Sequence, residues 1–161
     1  MRNKNKIQFI TKSVLLCLAV LIIILISNVM TTYAKDCTPE DAMKAEDSAY
    51  GLKGWKEIYD SFIQFSHCDD GAIAEGFSDS IVTMLAYRWD EVLTLKKLAG
   101  ADSKFLTFTI RHIDATTSID DLRQVVDNAI SYCPAESTTL CDEIKREANR
   151  ALKELADLGI R

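Results

Sequence analysis

The sequence is poor in the residues that build loops and reactive centres. It holds two prolines and six glycines in 161 residues. No glycine-rich loop is present to cradle a phosphate, which argues against nucleotide binding. No Gly-x-Ser-x-Gly stretch offers a nucleophile elbow. There are two histidines, His67 and His112, so a zinc site of the usual kind lacks a second ligand cluster. Few stretches alternate apolar and polar with period two, which leaves little for a half-buried strand. Acids are missing altogether from the first 34 residues.

Those 34 residues differ in kind from the rest. Arg2, Lys4, Lys6 and Lys12 form a basic head, and Val14 to Ile26 is an unbroken apolar run. Ser27-Asn28 and then Thr32-Tyr33-Ala34 follow before Lys35. Basic head, apolar middle and small terminal residue make a signal peptide spanning 1–34, with cleavage after Ala34 and Thr32 at the accessory small position. The run is shorter than the ~20 residues of an ordinary membrane span. Extending it to Met30 gives the alternative of an uncleaved anchor, and either way the domain lies outside. Cys17 follows the bulky Leu16, which does not suit a lipoprotein cysteine.

Residues 35–161 then form a single domain. Taking the four basic residues of the leader from the 19 Lys+Arg leaves 15, against 24 Asp+Glu, a formal charge of −9. That surface repels phosphate backbones, so nucleic acid is not an expected partner, and a basic protein suits it better. Four cysteines remain, Cys37, Cys68, Cys133 and Cys141. An even number in an oxidising compartment points to disulfides rather than metal. Three pairings are possible. The short CPAESTTLC stretch favours Cys133–Cys141, which leaves Cys37–Cys68.

The dominant period is helical, and the fold class expected is all-α: an irregular bundle or stacked hairpins of six to seven short helices stapled by disulfides. Thr38-Pro39 reads as a cap and first helical residue, and Gly51 and Gly54 as a break. A helix from Trp55 to Ser66 would turn Trp55, Ile58, Tyr59, Phe62 and Phe65 inward. The HCDDG turn, 67–71, precedes a helix carrying Ile73, Phe77, Ile81, Met84 and Leu85. A short helix from Trp89 to about Gly100 buries Val92, Leu93, Leu95 and Leu98. Ser103–Ile113 is read as helix rather than strand. Ser118-x-x-Asp121 resembles a capping box before Leu122, Val125, Val126, Ala129, Ile130 and Cys133. The last helix carries a stripe of Leu140, Ile144, Ala148, Ala151, Leu155 and Leu158, with Asp142 facing Arg146 and Arg150 facing Glu154, and Gly159 as its stop.

The densest polar cluster is His67-Cys68-Asp69-Asp70-Gly71, with Glu75 one turn on. As chemistry, His67, Asp69 and Glu75 suggest a metal or acid/base site of a small envelope enzyme. As structure, Asp69 or Asp70 caps the next helix and Gly71 permits the turn. Gly76 costs ~1 kcal/mol against alanine inside a helix, which implies close approach of another helix. Glu75 and Asp79 share a face four residues apart, a wet face suited to a cationic partner. His112, beside Arg111 and Asp114, is accounted for by a helix C-terminus. Trp55 and Trp89 read as core anchors, and Trp89, if exposed beside Tyr87 and Arg88, as an interface residue.

Trp55, the Cys68-Asp69-Asp70-Gly71 turn, the helix start through Glu75-Gly76, Trp89, and the Cys133-Pro134 to Leu140-Cys141 segment form a combination. It resembles small exported helical proteins, and is similar in outline to periplasmic immunity proteins that block cell-wall amidase effectors. The resemblance implies a periplasmic or secreted protein-binding module, an immunity or inhibitor protein that occludes a basic partner such as an effector enzyme, rather than an enzyme. No cofactor is expected, no metal, and no membrane partner unless the leader stays uncleaved. The expected contact residues are Asp69, Asp70, Glu75, Asp79 and Trp89. The alternative is the envelope enzyme at His67, Asp69 and Glu75.

Overall fold

Seven α-helices and three short 3₁₀ turns, with no strand, account for the regular structure of the described residues, 35–160 of the computed structural model. The leader reading of 1–34, with its cleavage point, its anchor alternative and Cys17, lies outside the described residues. Asp36–Arg161 is one unit by its internal contacts. None of the described helices is long and apolar enough to cross a membrane.

Helix α1, Pro39–Ala49, begins as its sequence dictates. The Asp41 N–H donates to Thr38 Oγ1 at 3.1 Å, and Pro39 occupies the first turn, where its missing N–H costs nothing. Gly51, at φ 72°, turns the chain out of it. Helix α2, Trp55–Phe65, buries Trp55, Ile58, Phe62 and Phe65, with Tyr59 half-buried. A 3₁₀ turn, Ser66–Cys68, leads to α3, Gly71–Tyr87, whose N-cap is Asp70. A second 3₁₀ turn, Trp89–Glu91, leads to α4, Val92–Ala101, then α5, Ser103–Arg111, and α6, Ile119–Ser131. The third, Ala135–Ser137, opens α7, Thr138–Asp157.

Helix α3 is the pivot. It packs against α1, α2 and α6, while α7 lies on α6 and α5. Its exposed residues past the first position are Ala72, Glu75, Asp79, Thr83 and Tyr87, a strip of three- and four-residue spacing. Everything else on it is wholly or partly covered, so a largely apolar helix is stable in the middle of the bundle. Phe62, Phe77, Phe105 and Phe108 interlock in the core, with contacting ring centroids 4.9–6.5 Å apart.

The cysteines pair as Cys37–Cys68, with Cα atoms 4.9 Å apart, and Cys133–Cys141, at 6.1 Å. The first ties the entry of α1 to the turn before α3. The second ties the end of α6 to the first turn of α7.

Several details differ from the periodic reading. Ile130 and Leu158 fit the apolar period yet are 64% and 69% exposed, Leu158 as the C-cap beyond the last helical residue, Asp157. Leu93 is exposed as well. Gly100 lies inside α4, and Asp102 takes over instead: its Oδ1 accepts from the N–H of Lys104 at 2.9 Å and caps α5. Ser118 stands at the N-cap of α6 without a side-chain cap bond. Asp142 pairs with Lys145 at 2.8 Å rather than with Arg146, while Arg150 does reach Glu154 at 3.2 Å. Helix α5 stops at Arg111, with His112 at its C-cap. Gly159, at φ 76°, closes α7 as expected: its N–H meets the Ala156 carbonyl at 3.0 Å, and that of Ile160 the Leu155 carbonyl at 3.0 Å.

Candidate functional site

The HCDDG turn divides its polar groups among separate tasks. The His67 ring nitrogen Nε2 lies 3.2 Å from Asp41 Oδ2, which fastens α1 beside the Cys37–Cys68 bond. Asp69 turns the other way. Its side chain is 4% exposed and takes Arg111 on one oxygen and His112 Nε2, at 3.0 Å, on the other. His112 Nδ1 sits 2.8 Å from the Phe108 carbonyl, and the ring packs on Phe108 at 4.2 Å between centroids. A carbonyl only accepts, so the Nδ1 contact is one in which the ring donates. The arrangement clamps the C-terminus of α5 to the turn before α3. His112 is thus not a surface histidine answering a helix dipole but a buried member of this clamp, 2% exposed.

Asp70 is exposed, and its Oδ1 accepts from the Gly71 N–H at 2.8 Å. Glu75 stands on the exposed strip of α3. His67, Asp69 and Glu75 are therefore not brought together, and no three His, Cys, Asp or Glu among the described residues are placed to hold a metal ion. Asp69, expected at a contact surface, is spent inside the protein. Trp89, 8% exposed, is a core residue whose Nε1 donates to the Tyr132 carbonyl at 2.9 Å.

What remains open is the α1–α3 face. Gly76 is a point of close approach, as its cost in a helix implied: a Cβ there would fall 2.8 Å from the Tyr50 ring and 2.9 Å from Ala49 Cβ. The Tyr50 ring lies across that glycine and is 48% exposed. Glu75 precedes Gly76, and Asp79 is one turn beyond it. Glu46 and Asp47 are exposed in the last turn of α1, just before Tyr50, which caps that helix in an extended conformation. None of these four carboxylates has an ion-pair partner among the described residues. The half-exposed Tyr50 thus lies over α3 at Gly76, and α1 and α3 each carry two exposed acids without an ion-pair partner among the described residues.

The polar groups that position this face escaped the sequence reading. Ser80 Oγ donates to the Ala49 carbonyl at 2.7 Å and accepts from the Leu52 N–H at 3.2 Å, which seals the end of α1 onto α3. Asn128 Nδ2 donates to the Leu85 and Ala86 carbonyls at 2.9 and 2.8 Å, which satisfies the C-terminus of α3 from α6. A polar residue three beyond Val125 in an apolar stripe was the available signal for Asn128. Ser78 Oγ lies 2.8 Å from Asp114 Oδ2. No protein-family model matches the chain, and comparisons with curated proteins and with solved structures return no match.

Proposed function

We propose that this is an exported protein-binding module that occludes a basic partner, with the α1–α3 face as its contact surface. The carrying observation is the Tyr50 ring held over Gly76, with Glu46, Asp47, Glu75 and Asp79 on the two helices, all exposed and unpaired among the described residues. Four uncompensated carboxylates on the two helices and a half-exposed aromatic would offer a Lys- or Arg-rich surface both charge pairing and a π face. Tyrosine is among the residues that anchor interfaces, since its large rigid area is ordered at small entropic cost. An effector enzyme held inactive in the envelope is the partner class the immunity-like outline favours. The two disulfides suit an oxidising compartment outside the cytoplasm.

The test is capture from envelope extract with two baits, the native protein and the Glu75→Lys/Asp79→Lys variant, with bound proteins identified by mass spectrometry. The native bait enriches a basic protein that the variant loses, and the two baits share one helical circular-dichroism spectrum. Equal recovery by both baits removes this face from consideration.

A further inference from the structure

Helix α1 is held chiefly at its two ends. It buries two side chains, Ala45 and Ala49, where α2, of the same 11 residues, buries five. Two methyl groups return far less free energy than the ordering of such a segment costs. A helix below about 12 residues is also marginal alone in water. Its docking on α3, α2 and the Ser66–Cys68 turn therefore depends on the fastenings at its entry and exit.

At the entry the fastening is Cys37–Cys68, with the contact of His67 Nε2 to Asp41 Oδ2, 3.2 Å, beside it. At the exit it is Ser80, whose Oγ serves the Ala49 carbonyl and the Leu52 N–H together. Gly51 lies between those two residues at φ 72°, and a Cβ there would meet nothing within 4 Å. The backbone at that point is both conformationally free and unpacked. Leu52 is half-buried against the core. The chain can therefore turn at Gly51 while Leu52 stays on Ser80.

The two disulfides differ in access and in what depends on them. Cys37 is exposed, whereas Cys133 is half-buried and Cys141 is 3% exposed. Helix α7, which the second bridge secures, has six buried side chains of its own. A thiolate thus has open approach at Cys37, and loss of that bond falls on the helix with the least apolar burial to keep it in place.

We propose that Cys37–Cys68 is a redox latch on α1, opened by a dithiol reductant. One thiolate of the dithiol attacks Cys37 Sγ. The bond between the two protein sulfurs breaks with its electron pair on Cys68 Sγ, which takes a proton. The second thiol of the reductant then closes on the mixed disulfide and releases Cys37 as a thiol. Two electrons pass to the protein, and the reductant leaves as its own disulfide. Helix α1 swings out at Gly51 and takes Tyr50 off Gly76, while α2 to α7 stay folded. Glu46, Asp47 and Tyr50 travel with it, so on the proposed function reduction also dismantles the contact face. The latch does not rest on that reading, and its test needs no partner.

The native protein is treated with limiting dithiothreitol, free thiols are alkylated and mapped by mass spectrometry, and amide exchange is followed at each stage. Cys37 and Cys68 are alkylated before Cys133 and Cys141. At that stage protection in α1 falls at least about tenfold while the core amides of α3, α6 and α7 keep theirs. Re-forming the bond with oxidised dithiothreitol restores it. Cys37→Ser/Cys68→Ser shows the same open α1 without reductant, and Cys133→Ser/Cys141→Ser keeps α1 protected. Unchanged protection of α1 once Cys37–Cys68 is lost, loss of protection in all helices together, or reduction of Cys133–Cys141 first overturns the proposal.

Discussion

At the scale of single residues, stability rests on a few polar side chains that finish the ends of helices. Asn128 is the clearest. It is 4% exposed, serves two carbonyls of α3, and its Oδ1 accepts from Gln124 Nε2 at 2.9 Å. Asn128→Ala leaves those carbonyls buried without a donor and is expected to cost about 2–4 kcal/mol, read as a lower urea midpoint at unchanged slope. Asp69→Ala strands His112 at 3% side-chain exposure, whereas Arg111, 64% exposed, recovers water. The loss expected is about 2–3 kcal/mol, most of it from the histidine. Tyr87 gives a pH signature. Its hydroxyl donates to Asp121, and this bond holds the phenol above its ordinary value of 10.0. A raised phenol pKa means the folded state favours the protonated form. The bond therefore contributes below the ordinary value and is lost as pH climbs through the raised one. Ultraviolet titration of the folded protein should show a late tyrosine component that Tyr87→Phe removes.

At the scale of elements, the disulfides are unequal. Cys37–Cys68 closes a separation of 31 residues and Cys133–Cys141 one of 8. Loop-closure entropy assigns about 4 kcal/mol to the longer loop and about 2.5 kcal/mol to the shorter. Paired Cys→Ser variants should rank in that order in thermal midpoint. The elements themselves were largely legible. Thr38-Pro39, Gly51, the Asp70-Gly71 turn and Gly159 are local signals, and each marks the boundary it announced, because caps and turns are decided within four residues. The edges of apolar stripes were not. Ile130 and Leu158 fit the helical period but are exposed, and period carries no information on which residues of a stripe a neighbouring helix covers. The proposed contact face was legible in part. Glu75, Asp79 and the close approach at Gly76 follow from spacing and helix cost. The fate of Asp69 did not, because His112 lies 43 residues away in sequence, and neither did the placing of Tyr50 over α3.

At the scale of the whole molecule, charge works in opposite directions on folding and on binding. Residues 35–161 carry a formal −9, and a compact body with that imbalance repels itself. Neither disulfide joins α1–α3 to α6–α7 directly. Those parts are held by packing and by uncharged contacts such as Asn128 to α3 and Trp89 to the Tyr132 carbonyl. Salt screens long-range repulsion between exposed carboxylates far more than it screens buried pairs. Raising ionic strength from about 20 mM to about 300 mM shortens the Debye length several-fold and should therefore raise the urea midpoint. On the proposed function, the same screening would weaken attraction between the Tyr50 face and a basic partner, first through the association rate. Capture should fall as stability climbs, and Glu75→Lys/Asp79→Lys should flatten the salt dependence of the capture that remains. If capture by the native protein were unchanged across that range while the midpoint rose, the contact would be made elsewhere than through these carboxylates.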